Sequence, residues 1–247
     1  LTSAPFEGLR VVDLSDRLSG AFASRLFGDF GADVVLVEPP TGHVRRREPP
    51  FVEDVEGSDR SAVHACVNWN KRSVVAGELD VLRRLVAAAD VVVTNGDAVG
   101  ELRTAAALGA LRPDGVHLSI TPHGLAAPLA DRPGNELTAN ARGGWSYING
   151  YGDEPPLRLP GHQAGYIGGL AGFVAAAAGR LRRSGSDEAE RVDVSELEAF
   201  ALTVHPGGVA AVYDDAAVYD DAGVCYGPTG RRPRGEQNPL LPAPMAR

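Results

Sequence analysis

Three consecutive arginines, Arg45, Arg46 and Arg47, form the densest cluster of one chemistry in the chain. A guanidinium is a planar fork that matches phosphate oxygens, so three on one loop read as an anion site or as solvated surface. Lys71, the single lysine, stands beside Arg72 and gives a second basic pair. No other cluster carries comparable chemistry. His64, His117 and His205 stand apart from any cysteine or acid at metal-ligating spacing. Cys66 and Cys225 are far apart and read as unpaired thiols of a reducing compartment. The pairs Asp214, Asp215 and Asp220, Asp221 fall in a repeated Y-D-D stretch that reads as an acidic connector.

The elements that position these groups begin with the stretch from Gly8 to Glu38. Val11, Val12 and Leu14 make a short strand-forming run, and Ser15 or Asp16 is placed to cap the helix that follows. Leu18, Phe22, Leu26 and Phe30 recur every four residues with Ala21 beside them, which predicts a helix that buries this stripe. Gly28 and Gly31 stop it, and Val34 to Val37 form a second strand ending at Glu38. Strands joined through a helix pair in parallel, and ligand sites in parallel sheets lie beyond the carboxyl ends of the strands. Ser15 to Gly20 and Glu38 to Arg47 therefore face one crevice, with Arg17 and Arg46 among its candidate ligands. A dinucleotide does not fit there: the turn from Asp13 to Gly20 holds one glycine where G-x-G-x-x-G is needed.

The same alternation continues downstream. A strand after Asn68–Val74 carries Asn70, Lys71 and Arg72 to the same crevice; a helix over 79–89 and a strand over 91–93 lead to Asn95, and a strand over 116–120 leads to Thr121. A polar loop with Arg132 follows, then a helix opening near Asn135. From Ile167 to Leu181 the chain reads as a helix rich in glycine and alanine. Interior glycines cost about 1 kcal/mol each relative to alanine, so they imply close packing, which an interleaved dimer would supply. A strand over 191–194 and a helix from Ser195 toward Val204 complete the pattern.

At 247 residues the chain has ample length for a core. With 24 basic and 32 acidic residues its net charge is -8, which argues against nucleic acid or an anionic membrane as the main partner. No run reaches the roughly 18 apolar residues of a membrane span, and no signal-peptide pattern is present, so a cytoplasmic protein is expected.

Several blocks in order carry a resemblance. G-L-R-V-V-D-L-S, L-F-G-D-F-G-A-D-V-V, V-E-P-P, N-W-N-K-R-S-V from Asn68, D-V-V-V-T-N ending at Asn95 and V-D-V-S-E-L from Val192 resemble the family III CoA-transferases, the group that holds formyl-CoA transferase and the 2-methylacyl-CoA racemases. The resemblance implies transfer of coenzyme A between carboxylic acids, with acyl-CoA and an acid as substrates and no permanently bound cofactor. It also implies coenzyme contacts from Asn70, Lys71, Arg72, Asn95 and Arg103, with Arg17, Arg46 and Arg132 beside them. The residues between Asn95 and Arg103, G-D-A-V-G, depart from the family's usual F-R-P-G. Asn135 stands near the family position of a racemase histidine, and asparagine takes up no proton at neutral pH.

In the resembling transferases an aspartate at the start of the glycine-rich helix attacks the thioester to give a mixed anhydride. Counting from Pro160 and Gly161 places it at Tyr166, and counting back from Gly169 and Leu170 places it at Gly165. Neither is a carboxylate. One reading is a CoA-binding or partner subunit that completes a second, active chain. Another is an enzyme using nearby groups: Tyr166 assisted by His162, with Asp153 or Glu154 close in sequence. A third is the fold without CoA chemistry. A tyrosine of pKa ~10 is a poor nucleophile unless a base helps it.

The expected fold is α/β, a Rossmann-like and mostly parallel sheet flanked by helices over residues 1–200. A helical and acidic connector over 201–225 and a Pro/Arg-rich tail over 226–247 follow, the tail opening a linker to a small second domain that is absent or truncated. An extended C-terminal arm of this kind suits a homodimer or a heteromer with a related chain.

Overall fold

The computed structural model describes residues 4–76, 78–95, 105–149, 155–183 and 189–204. In chain order the elements are β1 (Arg10–Asp13), α1 (Leu18–Asp29), β2 (Asp33–Glu38), α2 (Ala62–Asn68), β3 (Arg72–Val75), α3 (Leu79–Ala87), β4 (Val91–Thr94), α4 (Ala105–Leu111), β5 (Val116–Thr121), α5 (Glu136–Arg142), α6 (Trp145–Ile148), α7 (Gln163–Arg183), β6 (Glu190–Ser195) and α8 (Glu196–Ala201). The strands form one sheet in the order β3-β2-β1-β4-β5-β6, and each of its pairings is parallel.

Strand periodicity sorts the core into two layers. Val11, Val34, Val91, Val93, Leu118 and Ile120 face one side, where they pack on Ala23 and Phe27 of α1 and Ala176 of α7. Val12, Val37 and Val92 face the other, against Leu82 and Val86 of α3 and Leu108 of α4. Coverage on both faces is why β4 and β5 are buried at every position, β4 as an apolar run and β5 with His117 and Ser119 buried within it.

α1 buries part of the expected stripe, Leu18 and Ala21 with Phe22 against Val67 of α2, and beside it a second face of mostly small residues. Gly20, Ala23, Ser24 and Phe27 face the sheet, whereas Phe30 is 45 % exposed and stacks on Phe173 at 5.6 Å. Small residues let the helix lie flush on the strands, and the bulky ones fill the gaps beside it. Ser15 and Asp16 do not cap this helix either; the residue at the cap position is Arg17, with no cap from its own side chain.

The glycines of α7 are used inside the chain. A Cβ at Gly169 would lie 2.6 Å from the Ser19 carbonyl oxygen, at Gly172 2.5 Å from Ile120 Cδ1, and at Gly179 2.9 Å from Glu190 Cγ. The close packing expected from a second chain is thus supplied by α1 and the sheet. Over Gln163–Arg182 this helix is long and apolar enough to cross a membrane, at a mean hydropathy of 1.2, against the expectation that no segment is. Ile167, Leu170, Phe173, Val174 and the alanines supply that hydropathy, and the glycines supply the close approach that packing on a sheet requires.

Leu1–Asp131 and Gly165–Glu196 make one compact unit, which holds the sheet; Arg132–Ala164 and the chain from Leu197 make another. In the latter, Asn135 caps α5, accepting from the Thr138 backbone N–H at 3.0 Å while Thr138 Oγ1 accepts from Asn135 N–H at 2.9 Å. Glu136 accepts from the Ala164 N–H at 2.9 Å, and buried Asn140 accepts from the Leu159 N–H at 2.8 Å. The expected C-terminal arm lies outside the described residues beyond Val204.

Candidate functional site

Strand order reverses between β1 and β4, and a crevice opens there beyond the carboxyl ends of the strands. It holds a cavity of about 480 Å³, walled by the chain from Leu14 to Asp16, the chain from Val37 to Val44, Arg47, Ala76 and Asn95.

Asp13, the last residue of β1, anchors the first wall. Its fully buried carboxylate accepts from Ser15 N–H at 2.9 Å, Ser15 Oγ at 2.6 Å, Ser24 Oγ at 2.6 Å and Lys71 Nζ at 2.9 Å. Burial alone would raise its pKa, but Lys71 and the two serines hold it below the usual carboxylate range. Lys71 also donates to the Ala21 carbonyl at 2.7 Å and Asn68 Oδ1 at 2.6 Å, and its side chain is 1 % exposed. Expected as a ligand in the crevice, Lys71 is instead a core cation with all three protons taken.

Glu38, the last residue of β2, anchors the opposite wall. Arg46 donates to it from Nε at 2.6 Å and Nη2 at 2.8 Å, joined by the His43 N–H at 2.9 Å and the Ser73 hydroxyl. The Arg46 hydrogen bonds, first among these, hold its pKa far below the ordinary value although burial opposes them. Arg46 makes a further ion pair with Asp59 at 2.7 Å, so its fork is filled. The His43 ring accepts from Arg45 N–H at Nδ1 (3.2 Å) and meets the Ser15 carbonyl at Nε2 (3.0 Å). An N–H can only donate and a carbonyl only accept, so Nδ1 is the accepting side of this ring and Nε2 the donating side. His64 lies 5.6 Å away, and its buried Nε2 has no partner; burial, then the Arg46 and His43 charges, push its pKa down to about 4.

Asn95 closes the crevice from β4. Its Oδ1 accepts from the backbone N–H of Asp16 at 2.9 Å and of Arg17 at 3.0 Å, and its Nδ2 donates to the Ile120 carbonyl at 2.8 Å. A residue nearly eighty positions downstream thus pins the turn that leads into α1, and Ser15, expected as a cap, is committed to Asp13. Arg17 turns away to Glu196, donating from Nε at 2.9 Å and Nη2 at 2.5 Å, and Ser19 Oγ donates to the same carboxylate at 2.5 Å. That triad of Arg17, Ser19 and Glu196 had no signature in the sequence, because its members lie far apart in the chain.

At the start of α7, a Cβ on Gly165 would sit 3.0 Å from Leu18 Cδ2. Tyr166 packs edge-on against Phe22 at 4.9 Å among Leu18, Ala21, Val63 and Val67. Burial, followed by Cys66 with which its hydroxyl hydrogen-bonds, raises the Tyr166 pKa above the ordinary value, so its geometry makes it a weaker nucleophile than a free tyrosine. His162 immediately precedes α7 in the other compact unit. Asn70 donates to Asp29 at 2.6 Å and to the Arg25 carbonyl at 3.2 Å, and exposed Arg72 forks onto Asp33 at 2.9 and 2.5 Å on the outer edge of the sheet. Arg132 is exposed in the other unit. Arg103, Asp153 and Glu154 lie outside the described residues. Of the expected coenzyme ligands that are described, Asn95 lines the cavity, while the forks of Arg17, Arg46 and Arg72 are taken by neighbouring acids. Among the described residues no group of three or more His, Cys, Asp or Glu side chains could hold a metal ion.

A model described as CoA-transferase family III matches residues 6–221. Succinate–glutarate CoA-transferase of Agrobacterium fabrum is 32 % identical over 205 residues, covering 78 % of this chain and 51 % of its own length. Subunit BbsE of succinyl-CoA:(R)-benzylsuccinate CoA-transferase of Thauera aromatica is 31 % identical over 215 residues, covering 81 % of this chain and 50 % of its own. A CAIB/BAIF family protein of Brucella suis superposes with a TM-score of 0.74 at 29 % identity, covering 94 % of this chain and 60 % of that one. The chain spans about half the length of the curated relatives it matches.

Proposed function

The chain belongs to CoA-transferase family III, and from that premise we propose that its crevice binds coenzyme A or an acyl-CoA thioester and serves transfer of CoA between carboxylic acids. The observation that carries the reading is the cavity at the strand-order reversal, where the family's Asn95 position forms part of the wall. Arg47 at the cavity rim is its cation, donating to the Thr41 carbonyl at 3.0 Å. The acid substrate and the second half of the machinery are those of the whole protein.

A second reading draws on α7. Gly165 is packed on Leu18 and Tyr166 sits in an apolar cluster with a raised pKa, so neither offers a carboxylate or a ready nucleophile. On that reading the chain binds the thioester and completes a related, active chain. Calorimetric titration with coenzyme A tests the common core: one site per chain with a Kd below about 1 mM is expected, and no heat of binding at that concentration removes both readings. Incubation with succinyl-CoA and hydroxylamine then separates them. A hydroxamate on this chain marks an acyl anhydride and favours the enzyme; its absence alongside binding favours the partner subunit.

A further inference from the structure

We propose that Arg47 is the specificity-determining residue of the cavity: of three adjacent arginines it alone offers its charge to the ligand, and it recognises a phosphate of the coenzyme at the rim. The inference rests on the coenzyme A reading above and deepens it, naming the group that is read and the side chain that reads it.

The three arginines part because of how their loop folds. Val44–Arg47 make one 3-10 turn, in which successive side chains point about 120° apart. Each guanidinium therefore meets different neighbours. Arg45 donates from Nη1 to Glu48 Oε2 at 2.5 Å, and Arg46 is spent on Glu38 and Asp59. Glu38 before the turn and Glu48 after it are thus held by the first two arginines. Arg47 is exposed; its Nη2 donates to the Thr41 carbonyl at 3.0 Å, while Nε and Nη1 have no acceptor among the described residues.

The loop that presents Arg47 is already ordered. Pro39 and Pro40 fix their own φ, the Gly42 N–H closes on the Pro39 carbonyl at 2.8 Å with Gly42 at φ +79°, and the His43 N–H is held by Glu38 at 2.9 Å. Such a loop loses little freedom when a ligand arrives. Of acids and arginines, Asp16, Glu38 and Arg47 line the cavity. Arg46 matches the Glu38 charge, which leaves Asp16 on one wall and Arg47 on the other. An anion is repelled by the first and drawn to the second. The side chains of Leu14, Val37, Pro39 and Ala76 suit an uncharged part of the same ligand. A guanidinium fork matches phosphate oxygens, and coenzyme A offers two sources of them, a ribose phosphate monoester and a diphosphate.

Calorimetric titration of the wild type, Arg47→Gln and Arg182→Gln with coenzyme A and with dephospho-coenzyme A, which lacks the monoester, tests this. Arg47 is exposed, so its replacement should leave the fold intact. Arg47→Gln is expected to bind coenzyme A about fivefold more weakly at low salt, a difference that shrinks as salt screens the contact. A loss confined to coenzyme A identifies the monoester as the group read; an equal loss for both ligands identifies the diphosphate. Arg182→Gln removes the same charge from an exposed site on α7 and should change neither affinity. Unchanged coenzyme A binding in Arg47→Gln, or an equal loss in Arg182→Gln, overturns the proposal and leaves the coenzyme reading standing. Absence of binding to the wild type removes that reading and this proposal with it.

Discussion

Lys71 is the chain's only lysine, which makes its burial directly measurable. With three acceptors within 2.9 Å and 1 % of the side chain exposed, it should resist an amine reagent while the chain is folded and react once urea unfolds it. Mass analysis of labelled peptides reads this out. Rapid labelling in the folded chain, suppressed by coenzyme A, would instead restore it as a ligand. Lys71→Met leaves Asp13 ionised and buried without its cation, a loss of about 3–5 kcal/mol, and adding Asp13→Asn should recover part of it. Such roles explain what was legible at this scale. The sequence marks Lys71, Arg46 and Asn95 as worth attention, but their partners, Asp13, Glu38 and the backbone of Asp16 and Arg17, lie in other segments that no local spacing connects. The same limit hid Glu196, whose Arg17 and Ser19 partners come from the opposite end of the chain.

Elements were more legible than side-chain roles because strands in a sheet covered on both faces tend to be continuous apolar runs, and β1, β2 and β4 announce themselves so, while β5 alternates apolar residues with His117 and Ser119. Short helices such as α2, at seven residues, carry too little periodicity to stand out. On α1 the sequence marked the face that packs on α2, Leu18, Ala21 and Phe22, but not the sheet-facing side, where close approach is made by small residues. That point has a sign test at Gly169. In an unconstrained helix, Gly→Ala stabilises by about 1 kcal/mol. Here the new Cβ would come 2.6 Å from a backbone oxygen of α1, which cannot rotate away. Gly169→Ala should therefore lose about 1–3 kcal/mol, lowering Tm by about 2–4 °C per kcal/mol, while Ala178→Ser on the exposed face changes little. A neutral or stabilised Gly169→Ala would mean that α1 and α7 are not packed as described.

For the molecule as a whole, the charge balance and the buried groups make opposing predictions about acid. At pH 7 the net charge is -8 and the isoelectric point is about 5.3, so mild acidification reduces self-repulsion and would by itself stabilise the fold. The histidines act the other way. His117, with both ring nitrogens unpartnered and Arg191 alongside, has its pKa pushed down to about 4, by burial first and Arg191 second. His64 shares that value among Arg46, His43, Glu38 and Lys71. A histidine whose folded pKa lies below its unfolded 6.5 adds stability that is full above pH 6.5 and is lost as pH falls toward 4, up to about 3 kcal/mol each. Asp13 and Glu38, both depressed, extend the loss below the ordinary carboxylate range. Urea unfolding from pH 7 to 4 should therefore show stability falling even where the net charge passes through zero near pH 5.3. His117→Leu should flatten the slope between pH 6.5 and 4 without loss at pH 7, because the orphaned nitrogens leave with the ring. An unchanged slope in that variant would assign the acid sensitivity to His64 and the carboxylate clusters around the crevice instead.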